Sequence, residues 1–295
     1  MTAAVDRRTF VRDRRLARTR RTLELTLDGI FRPGNWAASM SYYLGLQGRL
    51  RVDTMTVRVP RPAGAAARPP LRIAFASDFH AGPTTSARAL ERAADALIAL
   101  EPDLLLLGGD FVSVRANDIA RLAPHIERIR APLGKLGVLG NHDLRANHPQ
   151  VAAALEQAGV ELITNRWVSL AAPFDDLTIC GLDDSRYGDP RADAAMDDAP
   201  GRRIVLMHAP EALRDIGDRE FDLALCGHTH GGQVVLPWGT PVFIPDGKFN
   251  HQYYGGDYAL AADGTRRLLV SRGVGCSTLP VRLFAAPQVH LCLIV

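Results

Sequence analysis

Short apolar runs alternate with amphipathic segments through the middle of the chain. The predicted strands lie at residues 51–59, 71–77, 103–109 and 134–140, and the predicted helices at residues 86–100, 118–130 and 149–158. Strands that are apolar throughout and separated by helices are typical of a parallel sheet buried on both faces. The pattern therefore predicts an α/β domain with a largely parallel sheet.

The pattern changes beyond residue 160. Strand-like runs separated by turn residues, such as VELITN, WVSL and LTICGLDD, replace the alternation, and long helices become few. We expect these strands to form a second sheet that faces the first. Residues 60–70, rich in proline and alanine, are interpreted as a linker or surface loop because proline interrupts regular elements.

Five of the apolar runs end in a polar cluster. The clusters read DFH, GGD, GNHD, MHAP and GHTH, and they contain Asp78, His80, Asp110, Asn141, His142, Asp143, His208, His228 and His230. In open α/β sheets the carboxyl ends of strands are where ligands bind, so these side chains should converge on one crevice. Asp78 and His80 stand two residues apart and would project to one face of an extended backbone.

The residue types in these clusters point to a metal site. Carboxylate, amide and imidazole donors suit manganese, iron, zinc or cobalt, and the lack of cysteine ligands is unlike a structural zinc site. One carboxylate can bridge two cations about 3.5–4 Å apart, and such a pair stabilises both the attacking and the leaving oxygen of a displacement at phosphorus. The clusters therefore predict a two-metal hydrolase.

The same five clusters, in this order, resemble the signature blocks of the calcineurin-like metallophosphoesterases. The match spans about residues 71–230, and the following segment resembles a bacterial branch that contains membrane-associated phosphodiesterases and UDP-2,3-diacylglucosamine hydrolases. The resemblance implies a four-layer α/β/β/α sandwich, in which two facing mixed sheets are flanked by helices. It also implies a dinuclear phosphoesterase that hydrolyses a phosphodiester or pyrophosphate bond.

The resemblance further implies roles for individual residues. One metal ion would be held by Asp78, His80, Asp110 and His230, and the other by Asp110, Asn141, His208 and His228. A hydroxide that bridges the two ions would be the nucleophile. His142 would act on the phosphate or the leaving oxygen, with Asp143 orienting its ring, although Asp143 could instead cap a helix.

The sequence departs from the pattern of related proteins at two places. Ser113 stands where many members have a further aspartate, which leaves the surroundings of the metal site open. Leu139 and Gly140 precede Asn141 where the Ser/Thr protein phosphatases have an arginine, which counts against a phosphoprotein substrate. Candidate substrate-binding residues beyond the last cluster are Arg272, Tyr253 and Lys248.

Composition and charge narrow the classes of protein. The 295 residues are 47% hydrophobic and 23% charged, which is typical of a globular chain, and the net charge of +3 is too small to indicate a nucleic-acid-binding protein. The four cysteines are well separated and predict reduced, buried thiols in a cytoplasmic protein. We expect neither a nucleic acid nor an obligate protein partner.

The first 50 residues have a different character, with eight arginines within the first 21. DRRTF at residues 6–10 resembles the twin-arginine export signal, but no apolar core follows, which disfavours export. Amphipathic patterns in residues 23–44 next to this basic cluster suit peripheral binding to an anionic membrane at its cytoplasmic face. Alternatively, these helices pack on the catalytic domain, which we place at residues 51–295.

Three functions remain open. The basic segment, residues 1–50, and the resemblance together favour a lipid-linked or cell-envelope phosphoester such as UDP-2,3-diacylglucosamine. A general phosphodiesterase that acts on nucleotides or small diesters is the alternative enzyme. A non-catalytic scaffold with the same fold is the third hypothesis, and the complete ligand set counts against it. As cofactors we expect two divalent ions of manganese, iron or zinc.

Overall fold

Two six-stranded sheets form the centre of the protein. The computed structural model describes residues 19, 21–61 and 67–295. The first sheet contains β1 (Arg51–Val57), β2 (Leu71–Ala76), β3 (Leu104–Leu107), β4 (Lys135–Gly137), β5 (Val160–Leu162) and β12 (Gln288–Ile294). The second contains β6 (Arg166–Ser169), β7 (Leu177–Gly181), β8 (Arg202–Leu206), β9 (Leu223–Cys226), β10 (Gly256–Ala259) and β11 (Arg267–Val270).

Helices cover the outer faces of the sheets. They are α1 (residues 21–31), α2 (Trp36–Tyr43), α3 (Ala87–Ala99), α4 (Ala123–Glu127), α5 (Asn141–Arg145), α6 (His148–Gln157), α7 (Leu213–Ile216) and α8 (Lys248–Gln252). Single helical turns occupy Pro33–Asn35, Ala116–Arg121, Asp193–Asp197, Pro210–Ala212 and His230–Gly232.

Both sheets are mixed. The strand order of the first is β1-β12-β2-β3-β4-β5, with β2 to β5 parallel and β12 antiparallel to β2. The order of the second is β10-β11-β9-β8-β7-β6, with parallel strands at its centre and an antiparallel strand at each edge. The parallel strands bring their carboxyl ends to one edge of each sheet.

The four leucines of β3 show why the strands are apolar throughout. Leu104 and Leu106 pack into the core between the two sheets, whereas Leu105 and Leu107 face α3, α4 and α6 on the other side. A third apolar cluster lies between the second sheet and the helical turns that cover it. The four-layer α/β/β/α arrangement is therefore confirmed.

One predicted helix takes a different form. Helix α3 agrees with the expected range and begins after Ser86, whose side chain accepts a hydrogen bond from the Arg88 amide. The helix expected at 118–130 is instead a 3-10 turn followed by the short α4. Pro124 accounts for the break, because it has no amide hydrogen with which to continue a helix from the preceding turn.

The amino-terminal helices pack on the rest of the molecule. The buried carboxylate of Asp28 accepts hydrogen bonds from Arg32 and from Arg115, and Arg32 also reaches Asp118. Gln47, beyond α2, donates from its side-chain amide to the Thr84 carbonyl at 2.8 Å. These contacts agree with the packing alternative for residues 23–44.

Some expectations concern residues outside the described part of the chain. The DRRTF motif and all but one of the eight amino-terminal arginines fall there, as does the middle of the proline-rich segment at 60–70. Within the described residues, no helix has the length and apolar character needed to cross a membrane.

Candidate metal centre

The predicted metal ligands converge where the carboxyl ends of the parallel strands meet. Asp78 follows β2, Asp110 follows β3, and Asn141 follows β4 at the first turn of α5. His208 follows β8, and both His228 and His230 follow β9. Among the described residues, three groups of side chains have potential ligand atoms within 4.8 Å of one another. Two of them correspond to the two predicted sites, Asp78 with His80 and His230, and Asp110 with His208 and His228, and the third joins His80, Asp110 and His142.

Asp110 lies between the two groups. Its Oδ2 atom is 3.5 Å from His80 Nε2 on one side and 3.4 Å from His208 Nε2 on the other. Its Oδ1 atom accepts a hydrogen bond of 2.8 Å from the His142 amide, which fixes the carboxylate plane. This position allows one carboxylate to serve both groups.

The first group is compact and buried. The Nε2 atoms of His80 and His230 lie 2.9 Å apart, and His230 Nε2 is 3.6 Å from Asp78 Oδ1. Asp78 is oriented by hydrogen bonds from the Ser77 hydroxyl at 2.6 Å and from the His228 amide at 3.0 Å. Two ring nitrogens that face one carboxylate in this way are suited to a shared cation.

The second group centres on His208. Its Nδ1 atom is 2.8 Å from the Gly108 carbonyl oxygen, so this nitrogen is protonated and donates a hydrogen bond to that oxygen. Its Nε2 atom faces Asn141 Oδ1 at 3.1 Å and His228 Nδ1 at 3.2 Å. A carbonyl that fixes the tautomer and leaves the other nitrogen to a metal ion is the usual environment of a metal-ligating histidine.

The backbone at the ligands is left-handed. Positive φ angles occur at Asp78 (52°), His80 (44°), Asp110 (55°), His228 (71°) and His230 (54°). The expectation that Asp78 and His80 share one face of an extended strand is thus wrong, because β2 ends at Ala76 and the chain turns sharply beyond it. A left-handed residue other than glycine costs on the order of 1–3 kcal/mol, and such strain is concentrated at functional sites.

Glycine is required next to two of the ligands. A Cβ atom at Gly227 would overlap the Asp78 carboxylate, and one at Gly140 would overlap the Asp110 carboxylate. The glycines that the sequence places at strand ends therefore allow the backbone to approach the ligands directly.

Burial dominates the electrostatics of the ligands. It raises the pKa of the Asp78 carboxyl to about 6, and it lowers the pKa of His80, His228 and His230 well below the ordinary value of an imidazole. The charged form of Asp78 is thus costly here, whereas the neighbouring His208 lowers the pKa of Asp110 well below its ordinary value. The neutral rings of His80, His228 and His230 keep a nitrogen lone pair for a metal ion. Buried carboxylate, amide and imidazole donors of this kind fit divalent metal ions.

His208 behaves differently from the other rings. Burial disfavours its charged form too, but the neighbouring Asp110 carboxylate outweighs this effect and raises the pKa of His208 above its ordinary value. In the protein without metal, a proton on His208 Nε2 therefore partly neutralises the charge of Asp110. A metal cation at the same place would neutralise that charge more completely.

His142 lies beside both groups, and its ring is held by Ser113 and Arg145. The Nδ1 atom is 2.5 Å from the Ser113 carbonyl, and Nε2 is 2.9 Å from Arg145 Nη2. Asp143 does not form a hydrogen bond with the ring, because its two carboxylate oxygens accept hydrogen bonds from the backbone amides of Val112 and Gly140. Asp143 thus caps α5, which is the alternative role considered for it, and does not orient His142.

Ser113 shows what replaces the aspartate of many relatives at this position. Its carbonyl accepts from His142, and its hydroxyl donates to the His80 carbonyl at 3.1 Å. The residue therefore connects the His142 ring to the backbone of a predicted ligand without adding a charge.

A cavity of roughly 460 Å³ opens over these side chains. Asp110, Asn141, His142, His228 and His230 form its base. The lining also includes a charged and polar set, Glu24, Arg145, Arg186, Tyr187, Thr229, Gln233, Ser277 and Thr278, and an apolar set, Leu23, Val234, Val242, Phe243, Pro245 and Leu279. We call Arg145, Arg186 and Tyr187 the cationic wall and the apolar set the apolar wall.

Sequence reasoning missed the cationic wall. Arg145 stands three residues after His142 on α5, a spacing that places two side chains on one helix face, so the pattern held a signal for it. Glu24 of α1 accepts a hydrogen bond of 3.0 Å from Arg145, and the Arg145 guanidinium lies 5.3 Å from the Tyr187 ring centre. Glu24 had no sequence signal, because 121 residues separate it from its partner.

The candidate substrate-binding residues lie outside the residues that line this cavity. The Tyr253 ring packs against Tyr258, with ring centres 4.9 Å apart, and the Lys248 ammonium lies over the Phe249 ring. The side chain of Arg272 packs against the backbone of Gly231. Their role in substrate binding stays a prediction.

Comparison with known proteins identifies the family. The model of the calcineurin-like phosphoesterases matches residues 71–232, which is more than half of the chain and includes all seven predicted ligands. The chain belongs to the calcineurin-like phosphoesterase family. It carries that family's catalytic class, the metal-dependent hydrolysis of phosphoesters.

Two bacterial relatives agree with this assignment. Phosphodiesterase YaeI of Escherichia coli is 31% identical over 230 residues, which cover 75% of this chain and 81% of that protein. The uncharacterized metallophosphoesterase YkuE of Bacillus subtilis is 31% identical over 195 residues, which cover 64% of this chain and 66% of that one. Among solved structures, TT1561 of Thermus thermophilus aligns with 70% of this chain and 90% of its own, at 13% identity and a TM-score of 0.46.

Separate substitution of the two histidines of the GHTH cluster tests the assignment of the ligands. His228→Ala and His230→Ala should each reduce the metal content by about one ion per chain, because each ring belongs to a different group. Asp110→Asn should weaken both sites. Metal content after reconstitution with Mn²⁺ is measured by mass spectrometry, with His251→Ala as the control at an exposed position. Loss of both ions from His228→Ala and from His230→Ala alike would contradict two separable sites.

Proposed function

We propose that the protein hydrolyses a phosphodiester or pyrophosphate bond in a lipid-linked substrate, with two divalent cations as cofactors. The observation that carries the proposal is the cavity, whose lining combines the clustered predicted ligands with two arginines and six apolar side chains. A substrate that fills this cavity combines phosphate groups with hydrocarbon.

Seven side chains would hold the cations. The first site would consist of Asp78, His80, Asp110 and His230, and the second of Asp110, Asn141, His208 and His228. When bound, manganese, iron or zinc ions would acidify a water molecule and neutralise charge on the phosphate. The position of Asp110 Oδ2 between His80 Nε2 and His208 Nε2 supports this division.

Arg145 and His142 would act together on the substrate. A guanidinium group cannot accept a hydrogen bond, so Arg145 donates to His142 Nε2 when no phosphate is present. A phosphate in the cavity is a stronger acceptor than a neutral imidazole and would attract the guanidinium away from the ring. His142 Nε2 would then be free to take up a proton from water in the cavity and to pass it to the leaving oxygen.

The apolar wall favours a lipid-linked substrate over a nucleotide. Leu23, Val242 and Leu279 come from three separate segments and present aliphatic side chains to one cavity. Burial of an alkyl chain against them contributes about 25 cal/mol per Å² of apolar surface, whereas a sugar or base would gain few hydrogen bonds from this wall. UDP-2,3-diacylglucosamine has the required combination of a diphosphate and acyl chains.

Two other functions have less support. A general phosphodiesterase would use the same metal site, and the name of the Escherichia coli relative supports a diester as the bond that is cleaved. A non-catalytic scaffold would be expected to lack ligands, and this chain has all seven.

Hydrolysis of bis-p-nitrophenyl phosphate tests the reaction. With Mn²⁺ the protein should release p-nitrophenol, and Asp110→Asn should abolish the release. His142→Gln should lower kcat by about 10²- to 10⁴-fold, the usual contribution of a general acid, without loss of bound metal. His251→Gln is the control. A metal-loaded protein without activity, or an Asp110→Asn variant as active as the unmodified protein, would favour the scaffold.

Two UDP-sugars that differ in acylation test the substrate class. In neutral detergent, kcat/KM should be at least about tenfold higher for UDP-2,3-diacylglucosamine than for UDP-N-acetylglucosamine, because acyl burial adds binding energy. The Val242→Ser/Leu279→Ser variant should lose most of this preference while it hydrolyses the small diester normally. Equal turnover of both sugars would favour the general phosphodiesterase.

A further inference from the structure

Large apolar side chains are exposed in the three chain segments that supply the apolar lining of the cavity. Their exposed fractions are 52% for Leu23, 75% for Trp238, 61% for Val242, 45% for Leu279, 41% for Leu283 and 70% for Phe284. We call these six residues the apolar rim. Exposed apolar patches of this kind mark sites of interaction with another surface.

The rim is continuous although it comes from three segments of the chain. Leu23, Val242 and Leu279 line the same cavity. Leu283 pairs with Val234 in a parallel β-bridge, and its carbonyl accepts from the Val235 amide at 2.9 Å. The last two segments of the rim are thus neighbours in space.

Trp238 and Phe284 extend the rim away from the cavity. Trp238 occupies a tight turn that is closed by a bridge between Val235 and Pro241 and by a hydrogen bond from the Leu236 amide to the Thr240 carbonyl. Phe284 directly follows Leu283, which forms a β-bridge with Val234 of the segment that contains Trp238. Both residues therefore belong to segments that also supply lining residues of the cavity, Val242 in one case and Leu279 in the other.

Hydrogen bonds hold the rim segments in place. The Gln233 side chain donates to the carbonyls of Ser277, Leu279 and Val281, each at 3.0 Å. The segment 279–284 is also joined to the amino-terminal helices, because the Arg282 amide donates to the Leu46 carbonyl at 2.6 Å. These hydrogen bonds fix the backbone of both segments, in which the apolar side chains of the rim are exposed.

Positive charge precedes the rim residue Leu23 in the sequence. Eight arginines and two aspartates give the first 21 residues a formal charge of +6, so the remainder of the chain carries −3 of the total of +3. The arginine-rich segment ends at Arg21, two residues before Leu23 of the rim. Each arginine near an anionic membrane contributes about 1 kcal/mol of attraction, and stable anchoring needs a second, apolar contribution.

We propose that the apolar rim inserts into the surface of an anionic bilayer while the arginine-rich segment binds lipid headgroups. The cavity would then open directly onto the membrane, and a lipid-linked phosphoester could enter it without passing through water. The entry of a lipid-linked substrate from the membrane rests on the proposed function. A second copy of the chain is a poorer partner, because a symmetric contact would bring two segments of charge +6 together.

Binding to vesicles tests the proposal with the full chain. The protein should sediment with vesicles of phosphatidylglycerol and phosphatidylcholine at 1:1, and much less with phosphatidylcholine alone. Trp238→Ser/Phe284→Ser should weaken binding to the anionic vesicles at least about tenfold, the change expected when two large apolar side chains no longer insert. Val52→Ser, which changes a 47% exposed valine on β1, is the matched control and should bind normally.

Hydrolysis of bis-p-nitrophenyl phosphate by the same variants provides a control for folding. Trp238→Ser/Phe284→Ser should retain the rate of the unmodified protein, since neither ring contacts the predicted ligands. Failure of the full chain to bind anionic vesicles would overturn the proposal, as would normal binding by the double variant or equal weakening by Val52→Ser. A dimer that the double variant converts to a monomer would instead identify a second copy as the partner. Vesicle binding without diester hydrolysis would contradict the proposed function and leave the docking surface supported.

Discussion

A buried carboxylate between two sets of imidazole nitrogens determines much of this structure. Asp110 is almost fully buried, and a charge in such a place is unstable unless cations or hydrogen bonds compensate it. The surrounding side chains reach it only because the strands of two sheets end at the same place and the chain turns sharply after each. Left-handed backbone at five ligands and glycines beside two of them are consequences of this crowding.

The same convergence explains how much the sequence could predict. The four-leucine strand β3 and the polar residues that follow β2, β3, β8 and β9 indicate a buried sheet with ligands at its edge, and the structure has both. The two-residue spacing of Asp78 and His80 did not predict their backbone conformation, because this spacing suits an extended strand as well as a tight turn. Asp143 was similarly ambiguous, since a carboxylate can orient a ring or cap a helix.

Apart from Arg145, the walls of the cavity could not be predicted. Glu24, Val242 and Leu279 are far apart in sequence and follow no common period, so only the folded chain shows that they share one space. The carboxyl-terminal strand β12 contributes to this arrangement, because it pairs between β1 and β2 in the first sheet. The loop before β12 is thereby brought from the second sheet across the mouth of the cavity, where it supplies Leu279 and Phe284.

The site and its surroundings are consistent with one another. The predicted ligand groups, Arg145 and His142 line one cavity, and three residues of the rim line it as well. The amino-terminal helix α1 belongs to this assembly, because Glu24 holds Arg145 and Leu23 lines the cavity. Helix α1, from the segment that we predicted to lie outside the catalytic domain, thus contributes to the lining of the cavity.

The most direct test of this account is anomalous diffraction from crystals of the protein loaded with Mn²⁺. Two manganese peaks should appear about 3.5–4 Å apart, the separation typical of two-metal hydrolases, with Asp110 in contact with both. A single peak, or a pair of peaks that Asp110 does not bridge, would contradict the dinuclear site.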